Sequence, residues 1–239
     1  MLDQSTIKGR LVAAAMRLAA ERPWNEVTLA QIAEAAGVGL VDVRNHFASK
    51  GDLLASFVRM VDDAVLTQAA QRIHPGKHAE GRQAEKETPR DALFDVIMSR
   101  FDVLAPYKLG LKSIAKAWPN DPSVACAIAR SQAWMLRAAG IRADGVEGSV
   151  RALGLAGVYT SVYRTWLSDD DPGLGKTMAV LDRRLRRGEN ALKAVDECAA
   201  RFCGVARRMR DVFRRPDKDR PAENASSQAT TTSPPNPAV

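Results

Sequence analysis

Little in this chain points to metal, redox or covalent chemistry. Its three cysteines, Cys126, Cys198 and Cys203, form no C-x-x-C pair, and the three histidines, His46, His74 and His78, stand at no ligand spacing beside them. That pattern argues against both a disulfide framework and a zinc site. His74 and His78 are four apart, but Pro75 and Gly76 between them read as a loop. No uncharged apolar run reaches the roughly 18 residues of a membrane span, and no basic-then-apolar leader precedes the first helix. A cytoplasmic location is the expectation. No Ser, His and Asp set, no carboxylate pair in an apolar setting and no Gly-rich phosphate loop stands out, so neither catalysis nor a cofactor is expected. Asp169, Asp170 and Asp171 read as a solvated turn rather than a metal cage. Alternating strand patterns are missing too, and the expected fold class is all-α.

What is present is apolar bulk and unevenly placed charge. Hydrophobic residues make up 46% of 239, enough for a substantial core. The net charge is +7. Residues 183–220 carry 13 Lys plus Arg against 6 Asp plus Glu, whereas residues 1–60 carry 7 against 6. Phosphate neutralisation supplies most of the affinity of a duplex-binding domain, so a near-neutral segment can bind DNA only through well-placed cations.

The densest local signals lie in residues 28–51, TLAQIAEAAGVGLVDVRNHFASKG. Thr28 and Gln31 form a T-x-x-Q capping box at the start of one short helix. Gly37 can supply the left-handed residue that ends it. A second short helix follows, with Val43 and Phe47 four apart on the face that should pack on Ile32, Leu11 and Leu18. Ser49 and Asp52 repeat the capping signal before a longer helix with an apolar stripe at Leu53, Leu54, Phe57, Val61 and Val65. This is the layout of a helix-turn-helix module.

The segment from Ile7 to about Val61 resembles the DNA-binding domain of TetR-type regulators, through A-x-x-L-A-x-E from Ala15 to Glu21, then T-L-x-x-I-A-x-x-A-G-V, then H-F-x-S-K. The resemblance implies a TetR-like chain: a helix-turn-helix domain over residues 1–60 with its motif at 28–47, and a larger helical ligand-binding and dimerising domain over 61–215. A disordered tail is expected over 216–239, where Pro, Ser, Thr and Asn dominate. It also implies DNA contacts from Thr28, Leu40, Val41, Asp42, Arg44, Asn45, His46 and Lys50. Several of these depart from the family pattern. Gly39 stands where a capping hydroxyl is usual, and Arg44 stands where a phosphate-holding Tyr is usual. Leu40 and Val41 can touch a thymine methyl but cannot make bidentate bonds to a purine; Asp42 repels phosphate and can only accept from cytosine; Asn45 can read adenine. Arg44, Lys50 and the Thr28 hydroxyl can hold phosphate. Two readings remain at this stage, a DNA reader and a helix-turn-helix kept as a packing unit.

Beyond the motif, residues 74–88 read as a surface loop. Thr88, Pro89 and Asp91 open a helix with Leu93, Phe94, Ile97, Met98, Phe101 and Leu104 inward. Further helices are expected from Pro106 to Trp118, from Ser123 to Ala139, from Val150 to Trp166 and from Leu174 to Arg187, with Gly188 as a break. Val150, Leu153, Gly157, Val158, Ser161, Val162, Thr165 and Trp166 form the expected inward side of the third of these. Met178, Leu181 and Leu185 form that of the next, with Asp182 and Arg186 paired outside. A small apolar effector would sit among Met98, Phe101, Trp118, Trp134, Met135, Tyr163 and Trp166.

The last helix, Glu189 to about Arg215, has a heptad seam at Leu192, Val195, Ala199, Phe202, Ala206, Met209 and Phe213 opposite an Arg-rich face. Phe202, Met209 and Phe213 would serve either a dimer seam or an anionic membrane surface. Residues 153–189, with Trp166-Leu167 before an acidic turn and Leu181-Asp182-Arg183-Arg184-Leu185, are similar to the C-terminal region of the coenzyme Q biosynthesis accessory proteins. That likeness implies lipid or isoprenoid-quinone binding. Two functions are therefore carried forward. One is a homodimeric, ligand-responsive regulator on a palindromic double-stranded DNA operator, and the other is a membrane-touching lipid binder.

Overall fold

The computed structural model describes residues 3–73, 88–117 and 122–190. Every regular element among them is helical. Helix α1 (Ile7–Glu21) is capped by Thr6, whose hydroxyl accepts from the Gly9 N–H at 3.0 Å. A short 3-10 turn (Trp24–Glu26) leads to α2 (Leu29–Ala36), α3 (Leu40–His46) and the long α4 (Lys50–Ile73). Then follow α5 (Pro89–Leu104), a second 3-10 turn (Ala105–Tyr107), α6 (Lys108–Ala117), α7 (Pro122–Ala138) and α8 (Gly145–Ser168). A last helix, α9, covers 175–190. The chain is all-α, as its patterning implied.

The first three helices close on one apolar knot. Leu11, Val12 and Ala15 of α1 meet Ile32 of α2, Val43 of α3 and Phe47, all buried. Helix α4 continues that core, with Leu53, Phe57, Val61 and Val65 buried along its length, and packs on α5 and α7. It runs uninterrupted through residue 60, so the expected domain boundary falls inside a helix. Helix α6 lies against α1, and the contact needs glycine: a Cβ on Gly110 would stand 2.7 Å from the Met16 carbonyl oxygen. An alanine there would force the two helices apart.

Several helix faces differ from expectation. Helix α8 starts at Gly145, and its buried stripe is Gly148, Ala152, Leu155, Tyr159, Val162 and Trp166. Val150 and Leu153, expected inside, are 57% and 66% exposed, and Val146 is 83% exposed. Gly154 and Gly157 on the same side have open space before them. The helix is apolar on two sides, and the described residues bury one of them. Helix α9 passes through Gly188 without a break. Leu181 and Leu185 are buried as expected, Met178 is exposed, and Asp182 pairs with Arg186 at 3.0 Å. Asp169 is not solvated. It is buried at the head of α9, where its carboxylate accepts from the Thr177 N–H at 2.9 Å and the Thr177 hydroxyl at 2.7 Å. These bonds hold its pKa below the usual carboxylate value. The loop expected over 74–88 and the heptad seam of Phe202, Met209 and Phe213 lie outside the described residues, the loop but for Thr88.

Candidate nucleic-acid interface and buried cavity

The helix-turn-helix is built by short-range chemistry. Thr28 Oγ1 accepts from the Gln31 N–H at 3.2 Å while Gln31 Oε1 accepts from the Thr28 N–H at 3.0 Å, closing the capping box at α2. Gly37 ends α2 at φ +64°, a left-handed conformation that glycine adopts without steric cost. From α1, Arg17 Nη2 donates to the Ala35 carbonyl at 2.9 Å and ties down the end of α2. Helix α3 has no hydroxyl at its cap. Asp42 supplies the missing group in reverse, its carboxylate accepting from the Gly39 N–H at 3.2 Å. Part of the charge expected to face DNA is thereby used inside the motif.

The remaining candidate contacts divide clearly. Leu40 and Val41 stand out at 58% and 72% exposure on the first turn of α3. Arg44, Asn45 and His46 are exposed beside them, and His46 Nδ1 donates to the Asp42 carbonyl at 2.8 Å. Thr28 is exposed, and its hydroxyl hydrogen is not needed for the cap. Lys50 behaves differently. Its Nζ donates to the Trp24 carbonyl at 2.8 Å and the Val27 carbonyl at 2.7 Å, and lies 4.8 Å from the Trp24 ring centre. Partial burial lowers its pKa from the ordinary lysine value. Two of its three N–H donors bind the loop before α2, so at most one is left for a phosphate.

Deeper in the molecule, a cavity of about 200 Å³ is lined by side chains from α4, α5, α6, α7 and α8. Of the six residues expected around an effector that are described, only Tyr163 lines it. Phe101, Met135 and Trp166 are fully buried core, Met98 is half-buried on α5, and Trp134 projects from α7 beside Arg137. Trp118 lies outside the described residues. The bulkiest side chains fill the core, whereas a cavity forms where Phe57, Val61, Leu111, Ile114 and Ile128 leave space.

Arg100 on α5, which sequence reasoning missed, is the principal polar group of the cavity. It is 2% exposed; its Nη1 donates to Asp62 of α4, and its Nε donates to the Tyr159 hydroxyl at 3.2 Å. Asp62 also accepts from the Ser131 hydroxyl at 2.6 Å. Burial opposes the charge on Arg100, but Tyr159 and Asp62 outweigh it and leave the pKa above the ordinary value. A signal did exist in the sequence: Arg100 interrupts the apolar face of its own helix, three residues from Ile97 and four from Leu104.

The same helices tie the cavity to the helix-turn-helix. Ser113 of α6 accepts from the Trp24 N–H at 2.9 Å and donates to the Arg22 carbonyl at 3.1 Å. Its neighbours Leu111, Ile114 and Ala115 line the cavity. Helix α4 holds the same loop through Lys50 and lines the cavity through Leu54, Phe57, Val58 and Val61.

Residues 11–57 match the family model for bacterial regulatory proteins of the tetR family. In fold, the chain is similar to a TetR transcriptional regulator from Nitrosomonas europaea, with a TM-score of 0.56 and 20% identity over 77% of this chain and 98% of that one. It is also similar to a TetR regulator from a Rhodococcus species, with a TM-score of 0.53 and 22% identity over 78% and 97% of the two chains. A tetR-family regulator from Streptomyces coelicolor aligns with a TM-score of 0.50 and 17% identity over 89% and 90%. The fold is therefore TetR-like, with a tetR-type module at its N-terminal end. No curated protein matches the chain, and the likeness of residues 153–189 to coenzyme Q accessory proteins has no support among these comparisons. Among the described residues, no helix is long and apolar enough to cross a membrane.

Proposed function

We propose that the protein is a homodimeric DNA-binding transcriptional regulator whose operator binding responds to a small molecule held in the cavity between α4 and α8. The observation that carries the reading is the exposed first turn of α3, presented by a capped helix-turn-helix that α1 and α4 hold from behind. Arg44 serves as the phosphate hand, Asn45 as the adenine reader, and Leu40 and Val41 as apolar contacts to thymine methyls. With few cations, affinity rests on these specific contacts more than on charge, so the salt dependence of binding should be shallow.

Dimerisation is supported by the apolar side of α8 that stands exposed among the described residues. Val146, Val150 and Leu153 stand out from it, with Gly154 and Gly157 leaving room for a close helix approach. A second copy related by a two-fold axis would bury that face and set two reading heads over a palindromic site. Selection of genomic fragments by the full chain at near-physiological salt tests the proposal. A palindrome should be enriched, and Arg44→Ala with Asn45→Ala should abolish the enrichment. Failure of the wild-type chain to enrich any site would leave the helix-turn-helix as a packing unit.

A further inference from the structure

Among the described residues, most polar groups that line the cavity have a hydrogen to give. Arg100 commits Nη1 to Asp62 and Nε to Tyr159, while its Nη2 bonds to no group among the described residues. The Tyr159 hydroxyl accepts from Arg100 and keeps its own hydrogen to give. Tyr163 also lines the cavity, and burial pushes its phenol pKa up, so that it remains a protonated donor. Thr160 gives its hydrogen to the Ala156 carbonyl at 2.8 Å, so toward an occupant its hydroxyl can only accept. Asp62 accepts from Arg100 and Ser131, both at Oδ1, and is not among the described residues that line the space.

Charge follows the same division. Arg100 is balanced by Asp62, but Arg164, which also lines the cavity, has no ion-pair partner among the described residues. Among the described residues, one positive charge therefore remains unmatched at the wall. The rest of the lining is aliphatic or aromatic, from Phe57 and Val61 on α4 through Leu111 and Ile114 on α6 to Val124 and Ile128 on α7. A volume of about 200 Å³ holds the equivalent of roughly seven waters, which limits the occupant to a compact molecule.

We infer that the cavity binds a small apolar monocarboxylate, its hydrocarbon body against Phe57, Leu111 and Ile114 and its carboxylate held by Arg164 with Tyr163, Tyr159 and the free Nη2 of Arg100. An acceptor-only, singly charged head matches a donor-rich, singly charged wall. A protonated amine would meet Arg164 with like charge, and an alcohol would leave the positive charge unmatched. As the identity of the effector, the assignment rests on the regulator reading above; as a binding site, it does not.

Calorimetric titration of the full chain without DNA tests it, using octanoate and phenylacetate as probes of aliphatic and aromatic acids, with 1-octanol and octylamine as matched neutral and cationic probes. At least one acid should bind ten-fold or more tightly than 1-octanol, and octylamine should not bind. Arg164→Gln, at an exposed position that leaves the Arg100 and Asp62 pair intact, should weaken the acid at least ten-fold and leave the alcohol unchanged. Equal affinity for acid and alcohol, binding of the amine, an Arg164→Gln chain that keeps full acid affinity, or no acid binding at all overturns the inference. The two failures are separable. A chain that selects an operator but binds neither acid loses only the ligand class, whereas one that binds an acid but selects no DNA keeps the site and loses the regulator.

Discussion

Breaking the ion pair of Arg100 and Asp62 should destabilise the protein more than removing a charge from its surface. Both partners are buried, and each relies on the other: Asp62 accepts from Arg100 and Ser131, and Arg100 gives to Asp62, Tyr159 and the Met135 sulfur. Asp62→Ala would leave the guanidinium charged in an apolar wall with only a phenol and a thioether beside it. Loss of one member of such a pair costs about 3–5 kcal/mol. For a chain of this size, about 2–4 °C of Tm accompanies each kcal/mol, so the melting temperature should fall by roughly 6–20 °C.

The informative comparison is with the double change Asp62→Leu and Arg100→Met, which removes both charges and keeps much of the volume. Replacing a buried pair by apolar residues is often neutral or stabilising. The double variant should therefore recover most of the loss, to within about 1–2 kcal/mol of the parent. Urea unfolding followed by far-UV circular dichroism measures this directly, provided the three chains share one m-value. A loss of less than about 1 kcal/mol in Asp62→Ala, or a double variant no better than the single one, would refute the view that the two charges form a mutually dependent buried pair.

Three further outcomes follow from particular contacts. Lys50→Ala removes two hydrogen bonds to the carbonyls of Trp24 and Val27 and should cost about 1–3 kcal/mol in urea unfolding; an unchanged stability with a salt slope of DNA binding reduced by about one would instead make Lys50 a phosphate hand. Leu153→Arg, on the uncovered face of α8, should leave the helical content intact and halve the mass measured by light scattering; an unaltered mass would move the dimer interface elsewhere. Asp169 has a lowered folded-state pKa, so its hydrogen bonds stabilise the fold above the unfolded value of 3.8 and that stability is lost as pH falls through the lower, folded value. Thr177→Val should accordingly be less stable than the parent at neutral pH, with the gap closing as unfolding is measured at pH values below 3.8; a gap constant with pH would rule out the carboxylate as its cause.

What could be read from the sequence was the chemistry whose partners lie close along the chain. The Thr28 and Gln31 box, the left-handed Gly37, the Thr88 cap with Pro89 behind it and the pairing of Asp182 with Arg186 each span at most four residues, and each is present. What misled was apolar character without direction. Val146, Val150 and Leu153 are as hydrophobic as Leu155, Tyr159 and Val162 on the same helix, and nothing local says which face meets the rest of the chain. Aromatic bulk misled in a similar way, since Phe101 and Trp166 stack in the core at 5.3 Å and the cavity lies where smaller groups leave room. Lys50 and Arg100 depend on partners 23–26 and 38–59 residues away, beyond the reach of any periodicity.

The small cavity also limits how strongly it can control the DNA-binding module. Helices α4 and α6 both line it and both grip the loop between α1 and α2, through Lys50 and Ser113, so a ligand that favours one spacing of these helices biases the position of α3. It can do so only by its difference in affinity between the two spacings. The best very small ligands gain about 1.5 kcal/mol per non-hydrogen atom, and most gain far less. Complete switching, from 1:99 to 99:1, would require a difference of about 5.5 kcal/mol, a large share of all the binding energy such a molecule has. A coupling of about 1–3 kcal/mol is the reasonable expectation, so saturating acid should weaken operator binding roughly 5- to 150-fold without abolishing it. By reciprocity, the factor by which acid in both cavities of the dimer weakens operator binding should equal the product of the factors by which operator DNA weakens acid binding at the two cavities, and a mismatch would mean that the two titrations report different binding events.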